Sequence, residues 1–332
     1  MYSQYLITGA TGNLGRVIMQ KLLRRGESVR VLVMPGDKLA ERFPPKIRVC
    51  YGNVEEKESL RSFFAGDLRD ACLIHCAGLV TIATHAHPKL WNVNVDGTRN
   101  IMELCSEHTV GRVIYVSSVH AIPEERRGDL IRETSDFSPD QLKGHYAKSK
   151  AAATTIAMRA FQAGLNLSVV FPSGLLCPND QGKSNISGAI LSYCKGKLPF
   201  AVKGGYDFVD VRDVADGILS CADLGRPGEG YILSGHYATI KNILSYVQRM
   251  ICGRRVVYLP LWLVKVFAPI LERVRELQKK PLFLTPYSVY VMGSNAFFSR
   301  KKAEAELGYC PRKLTVTLKD MVTEFRQGKL VW

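Results

Sequence analysis

The stretch TGATGNLG, residues 8–15, stands between the apolar run YLIT and the amphipathic run NLGRVIMQKLLR. Glycines at 9, 12 and 15 in such a place have two readings. One is an ordinary glycine-rich turn. The other is a strand-to-helix turn built for a dinucleotide. There Gly9 permits the tight bend, Gly12 lets the backbone approach a pyrophosphate, and Gly15 lets the helix pack closely on the sheet. A strand before and a helix after are the context that second reading needs, so it is adopted.

Working outward, apolar β-rich runs at 5–8, 29–33, 47–50, 71–76, 112–117 and 167–171 alternate with helical patterns at 14–25, 57–64, 89–107 and 146–163. Continuous apolar strands separated by helices predict a parallel sheet covered on both faces. The fold class is therefore α/β, a doubly wound sheet with a smaller C-terminal part. The alternation loosens after about residue 180. The expected division is a nucleotide-binding domain over 1–180, with a segment near 205–240 returning to it, and a mainly substrate-binding part over 181–332.

Composition narrows the function classes. The 332 residues are 46% hydrophobic, enough for a packed core. No charged and apolar leader pattern opens the chain, so the expectation is a cytoplasmic protein beginning at Met1. Nine cysteines are scattered singly with no CxxC pair, which reads as reduced, mostly buried thiols and no metal site. The net charge of +15 is spread over short clusters, at 24–25, 254–255, 279–280 and 300–302. Without a nucleic-acid-binding motif, these read as solvated surface charge, not a nucleic-acid footprint. The apolar run VVYLPLWLVKVFAPIL, 256–271, is too short and too interrupted to span a bilayer. It is read as a helix lining a hydrophobic pocket, with peripheral membrane contact as the alternative.

A second constellation is YAKSK, 146–150. Tyr146 and Lys150, four apart on a helix, share one face, so an ammonium can sit near a phenol and lower its pKa. Upstream, VIYVSSVHA ends a strand with Ser117 and Ser118, at the carboxyl edge of the sheet where such folds bind ligands. A serine there could hydrogen-bond a substrate oxygen while Tyr146 moves the proton.

These residues resemble the extended short-chain dehydrogenase/reductase family. The ordered matches run from TGATGNLG through HCAG (75–78), NVNVDGTRN (92–100), YVSS (115–118), YAKSK, FPSGLLCPND (171–180) and DFVDVRDVADGI (207–218) to SRKKAEAELGYCP (299–311). The resemblance implies a Rossmann domain binding NAD or NADP, with Ser118, Tyr146 and Lys150 as the catalytic set and Ser117 the lesser candidate for the serine. It implies cofactor contacts from Gly9, Thr11, Gly12, Asn13, Leu14 and Gly15, then from Cys76, Ala77 and Gly78, and finally from Pro172, Gly174 and Leu175. Asn53 and Val54 would flank the adenine, and Asn94 would support the site from the helix after the fourth strand. Gly174 stands where sugar-nucleotide enzymes of the family tend to carry an asparagine. The closer likeness is to the branch of dihydroflavonol reductases, cinnamoyl-CoA reductases and 3β-hydroxysteroid dehydrogenases. Phe171 and Cys177 depart from that branch, which usually has an arginine and a glycine there.

Met34 ends the second strand where an acidic residue would select NAD, so the expectation leans to NADP, with Arg16 and Lys38 nearby and Asp37 as the counterargument. His75 reads as a core histidine, and His85 and His87 as loop residues near the mouth. Asp207, Asp210, Arg212 and Asp213 read as structural. The expected activity is an NAD(P)-dependent interconversion of a secondary alcohol and a ketone on a largely apolar small molecule, steroid-like or phenolic. The alternatives are a sugar-nucleotide epimerase or dehydratase holding NAD tightly, and a non-enzymatic redox sensor. A CoA thioester would draw on Lys183, Lys195 or Lys197. The helices at 89–107 and 146–163 are those through which relatives commonly form dimers, so a homodimer is also expected.

Overall fold

Tyr5 and Ile7 face one side of the first strand and Leu6 the other, and all three are buried. That two-sided burial is what a central parallel strand requires. In the computed structural model, which describes residues 2–85, 87–178, 180, 184–278 and 284–327, the same pattern repeats across the interior strands of the sheet. Lys183, Lys279 and Lys280 lie outside the described residues.

The strands are β1 (Gln4–Thr8), β2 (Val29–Val33), β3 (Arg48–Tyr51), β4 (Ala71–His75), β5 (Arg112–Val116), β6 (Leu167–Pro172), β7 (Gly174–Leu176), β8 (Phe200–Val202), β9 (Gly205–Asp210), β10 (Gly230–Leu233), β11 (His236–Thr239) and β12 (Val257–Leu259). Seven form one parallel sheet in the order β10-β6-β5-β4-β1-β2-β3. The order reverses between β1 and β4, and the crevice at that switch point is where a doubly wound sheet takes a ligand. The sheet is Rossmann-like.

Helices Asn13–Arg24 and Val211–Leu224 pack together over one face. Helices Gly97–Glu107 and His145–Gln162 pack over the other. Each face has its own apolar core. Beside the carboxyl edge stand two small sheets, β11-β9-β7 and β12-β8. The helix Leu261–Leu277 and the helix Pro286–Gly293 pack against each other there.

Two expected helices differ. Residues 57–64 form only a 3-10 turn, Lys57–Leu60. Leu60, Phe63 and Phe64 are all fully buried, so the one-sided burial a helix would give is reached by a short turn and bend instead. The 89–107 helix begins at Pro88 and is interrupted by a π-helical turn at Asn92–Asp96. All nine cysteines are free; Cys50, Cys72, Cys105, Cys177 and Cys221 are buried, and Cys252 and Cys310 are exposed.

Candidate active site

At the switch point the glycine turn is as tight as its spacing predicts. Gly9 has φ +70°, and a Cβ there would meet the Ala77 backbone at 2.8 Å. A Cβ on Gly15 would lie 2.3 Å from the Gly9 carbonyl oxygen. Side chains at either position would close a gap between the helix Asn13–Arg24 and the loops around it. That helix starts on Gly12 with no side-chain cap, so its N-terminal N–H groups are left for a ligand. The bare turn and uncapped helix fit the pyrophosphate of a dinucleotide.

The loops flanking this turn are tied by a chain of hydrogen bonds through His75. Ala77 N–H donates to Thr8 Oγ1 (3.1 Å), which lies 2.7 Å from His75 Nδ1. His75 Nε2 lies 3.2 Å from Thr98 Oγ1, and Thr98 donates to the Asn94 carbonyl at 2.6 Å. Thr98 has committed its proton, so His75 is the Nε2–H tautomer and takes the Thr8 proton at Nδ1. Burial pushes its pKa down to about 3. It is a core histidine, a strut between the sheet and the π turn.

Asn94 is used fully. Its Oδ1 accepts from Leu79 N–H (2.7 Å), and its Nδ2 donates to the Leu79 carbonyl and to Ser149 Oγ, both at 3.0 Å. Ser149 in turn donates to the Tyr146 carbonyl at 2.8 Å. The asparagine thereby fixes the loop after β4 against the helix that carries Tyr146 and Lys150.

The two serines separate cleanly. Ser117 Oγ is 2.7 Å from Thr154 Oγ1, whose proton goes to the Lys150 carbonyl, so Ser117 donates to Thr154 and has no proton left for a ligand. Ser118 instead hydrogen-bonds toward Tyr146.

Lys150 is buried and donates from Nζ to the Val116 carbonyl at 2.8 Å. Burial lowers its pKa to about 8. Tyr146 is pushed up to about 12 by burial, with the Ser118 hydrogen bond pulling the other way. The expected lowering of the tyrosine by Lys150 is therefore not produced by these side chains: the ammonium is turned to Val116, and loss of water outweighs the rest. Tyr146 is held as a protonated donor.

His120 was not anticipated. It lies edge-on to Tyr146 at 5.7 Å and stacks on Tyr206 at 5.7 Å with a 12° interplanar angle. Its Nε2 is 3.2 Å from Tyr206 Oη, and its Nδ1 is 3.4 Å from Tyr287 Oη. Burial lowers its pKa to about 4, so it is neutral and joins the two phenols, donating through one nitrogen and accepting through the other. Gly144, at φ +89°, makes the room: a Cβ there would strike the Tyr287 ring at 2.1 Å. The only signal in the sequence was a histidine two residues after Ser118. Its partners lie 86 and 167 residues away.

All of this opens into one cavity of about 750 Å³. Gly9, Gly12, Asn13, Leu14, Gly15, Cys76, Gly78, Ser117, Ser118, Tyr146, Lys150, Pro172, Gly174 and Leu175 line it. Thr11, Met34, Asn53, Val54, Ala77 and Asn94 do not. Asn53 and its Oδ1 hold the turn at Glu55 (3.1 Å), and Val54 packs against Gly97. Asp180 was also missed: Asn13 donates to its Oδ1 at 2.8 Å, pinning the loop after β7 over the glycine turn. His85 and His87 are exposed outside the cavity, and His87 caps the helix Pro88–Trp91. Lys195 and Lys197 are exposed and do not line it.

Asp207 stands just behind the lining, accepting from Ser173 Oγ and from Gly235 N–H, while Asp210, Arg212 and Asp213 lie away from it. Asp210 caps the helix Val211–Leu224 and pairs with Arg212, which reaches Asp320 at 2.7 Å, while Asp213 accepts from Arg312. Asp210, Arg212 and Asp213 thereby tie the C-terminal segment to the helix Val211–Leu224.

A dinucleotide cradle at a sheet's switch point, opening directly into a reaction chamber, is the layout of the extended short-chain dehydrogenases and reductases. The chain belongs to the NAD dependent epimerase/dehydratase family, which it matches over residues 5–233. It is an NAD-dependent enzyme of that kind. Sterol demethylase protein B of Methylococcus capsulatus is 29% identical over 330 residues, covering 98% of this chain and 99% of its own. Human short-chain dehydrogenase/reductase family 42E member 1 is 27% identical over 334 residues, covering 92% of this chain and 83% of its own. The crystal structure of gox2253 superimposes with a TM-score of 0.83 at 27% identity, covering 99% of this chain and all of that one.

Proposed function

We propose that the protein interconverts a secondary alcohol and a ketone on a largely apolar, polycyclic or phenolic small molecule. One observation carries this reading. Beyond Tyr146 the cavity is walled by aliphatic and aromatic side chains, among them Leu198, Phe200, Val202, Ile243, Leu259 and Val264. A sugar would leave its hydroxyls there without partners, at a cost of about 1–3 kcal/mol each. A fused-ring ketone, or a phenolic one with a single hydroxyl, loses far less by entering. The name of the Methylococcus relative supports a sterol-like substrate.

When bound, the nicotinamide supplies the hydride acceptor or donor. The chain's own groups handle the oxygen and the proton. In reduction, Tyr146 gives its phenolic proton to the carbonyl oxygen while Ser118 Oγ–H donates a hydrogen bond to the same oxygen. Lys150, buried beside Gly78 and lining the cavity, would orient the nicotinamide ribose. The walls exclude water, which strengthens each of these interactions.

NADP is the proposed form. Met34 is half exposed at the end of β2, with no carboxylate in its place, and Asp37 is engaged in accepting from Leu39 N–H at 3.0 Å. The test is oxidation of NADPH and NADH by the purified protein over steroid, phenolic, acyl-CoA and sugar-nucleotide carbonyls. Turnover on an apolar ketone is expected, abolished in Tyr146→Phe and reduced roughly 10²–10³-fold in Ser118→Ala. Turnover confined to sugar nucleotides would sink the proposal. Met34→Asp is expected to shift the preference toward NADH.

A further inference from the structure

The helix Leu261–Leu277 is apolar on both faces, and only one is covered. Val264, Ala268 and Glu272, spaced four apart, turn inward at 3%, 0% and 3% exposure. Val264 lines the apolar end of the cavity, and Glu272 accepts from Thr84 N–H at 2.8 Å. On the opposite face Trp262, Val266, Ile270 and Leu277 are 69%, 62%, 61% and 73% exposed, with Phe267 and Val274 beside them. A helix that is hydrophobic all round belongs in a core or against lipid, and a contiguous apolar patch of this kind marks a docking surface.

We propose that this outer face seats the protein on an anionic lipid surface, and that apolar substrate passes from the lipid past the helix into the cavity. Delivery rests on the substrate class proposed above; docking does not. Charge selects the occupant. The chain carries +15, Lys265 is exposed on this helix, and Arg254 and Arg255 are exposed just before it. Glu272 is turned inside. Two copies meeting here would bring like charges together, whereas anionic headgroups neutralise them, at about 1 kcal/mol per basic residue near the surface. Length sets the mode. No helix of the described residues is long and apolar enough to cross a membrane, so this one lies in the interface plane. Continuity supplies the path: Phe200 both lines the cavity and is 55% exposed, and it pairs with Val257, 57% exposed, on the strand leading to the helix.

The full chain is mixed with vesicles of phosphatidylcholine containing phosphatidylglycerol, or of phosphatidylcholine alone, and sedimented without substrate. It is expected to pellet with the anionic vesicles and less so in high salt. The double variant Val266→Glu, Ile270→Glu is expected to lower partitioning at least about tenfold while dinucleotide binding, which reports folding, is kept. Brominated lipid should quench the tryptophan emission of the wild type and not of Trp262→Phe. Failure to pellet, or pelleting indifferent to the double variant, overturns docking. So does a wild-type dimer that the double variant makes monomeric while neither pellets, since the face would then join two copies. With docking established, the double variant should lose turnover on a ketone dissolved in the vesicles and keep it on a water-soluble ketone; equal loss on both overturns delivery alone. Because sedimentation needs no turnover, an inactive substrate panel leaves the docking result intact.

Discussion

Gly15 shows what was legible at the scale of single residues. Its Cβ would lie 2.3 Å from backbone that cannot retreat, a local requirement that shows as a fixed glycine spacing. Gly15→Ala is therefore expected to cost about 1–3 kcal/mol of stability, read by urea unfolding, and to weaken dinucleotide binding. Tyr146, Lys150 and Ser118 were legible for the same reason, since a helix turn and a strand end place them. His120 was not, because its meaning lies in Tyr206 and Tyr287, which no local pattern connects to it. His120→Phe keeps the stacked ring and removes both hydrogen bonds to the phenols. Steady-state kinetics should show kcat/KM lowered roughly tenfold with the protein folded; an unchanged value would make the histidine mere filling.

Among elements, six of the seven strands before residue 180 could be read, most of them because two-sided burial leaves continuous apolar runs; the edge strand β3 is half exposed, and the short β7 leaves no such run. The helix after β4 could be read as helical, but its π turn could not, since the insertion answers to what Asn94 must reach rather than to any propensity. Sequence could also not tell that residues 57–64 turn instead of coiling, because the spacing of Leu60, Phe63 and Phe64 fits one face of a helix and the turn buries the same three side chains. The π turn makes a prediction of its own. Asn94→Ala removes the three hydrogen bonds that hold Leu79 and Ser149. Hydrogen exchange should quicken in residues 78–82, and kcat should fall further than dinucleotide affinity.

For the molecule as a whole, the buried titrating groups set the response to acid. Burial holds His75 and His120 at about 3 and about 4, below the ordinary imidazole value of about 6.5, so the unfolded chain binds protons that the folded one refuses. Their contribution to stability is present at neutral pH and is lost as pH falls below about 6.5. Asp207 acts oppositely: burial raises it to about 6, so the folded state gains as pH falls from about 6 toward 3.8. Two histidines against one aspartate leave a net loss of stability as pH falls from roughly 6 to 4. Urea midpoints across that range should show the slope, and His120→Phe should flatten it.

Tyr287 seated against Gly144 has a consequence in time. The groups around the reacting phenol come from positions 118, 120, 146, 206 and 287, so contacts of very long sequence separation must close before they meet. The dinucleotide cradle, by contrast, lies largely within the first eighty residues. Most of the chain must therefore be in place before the groups around the phenol meet, and competence for chemistry is among the last properties the molecule acquires.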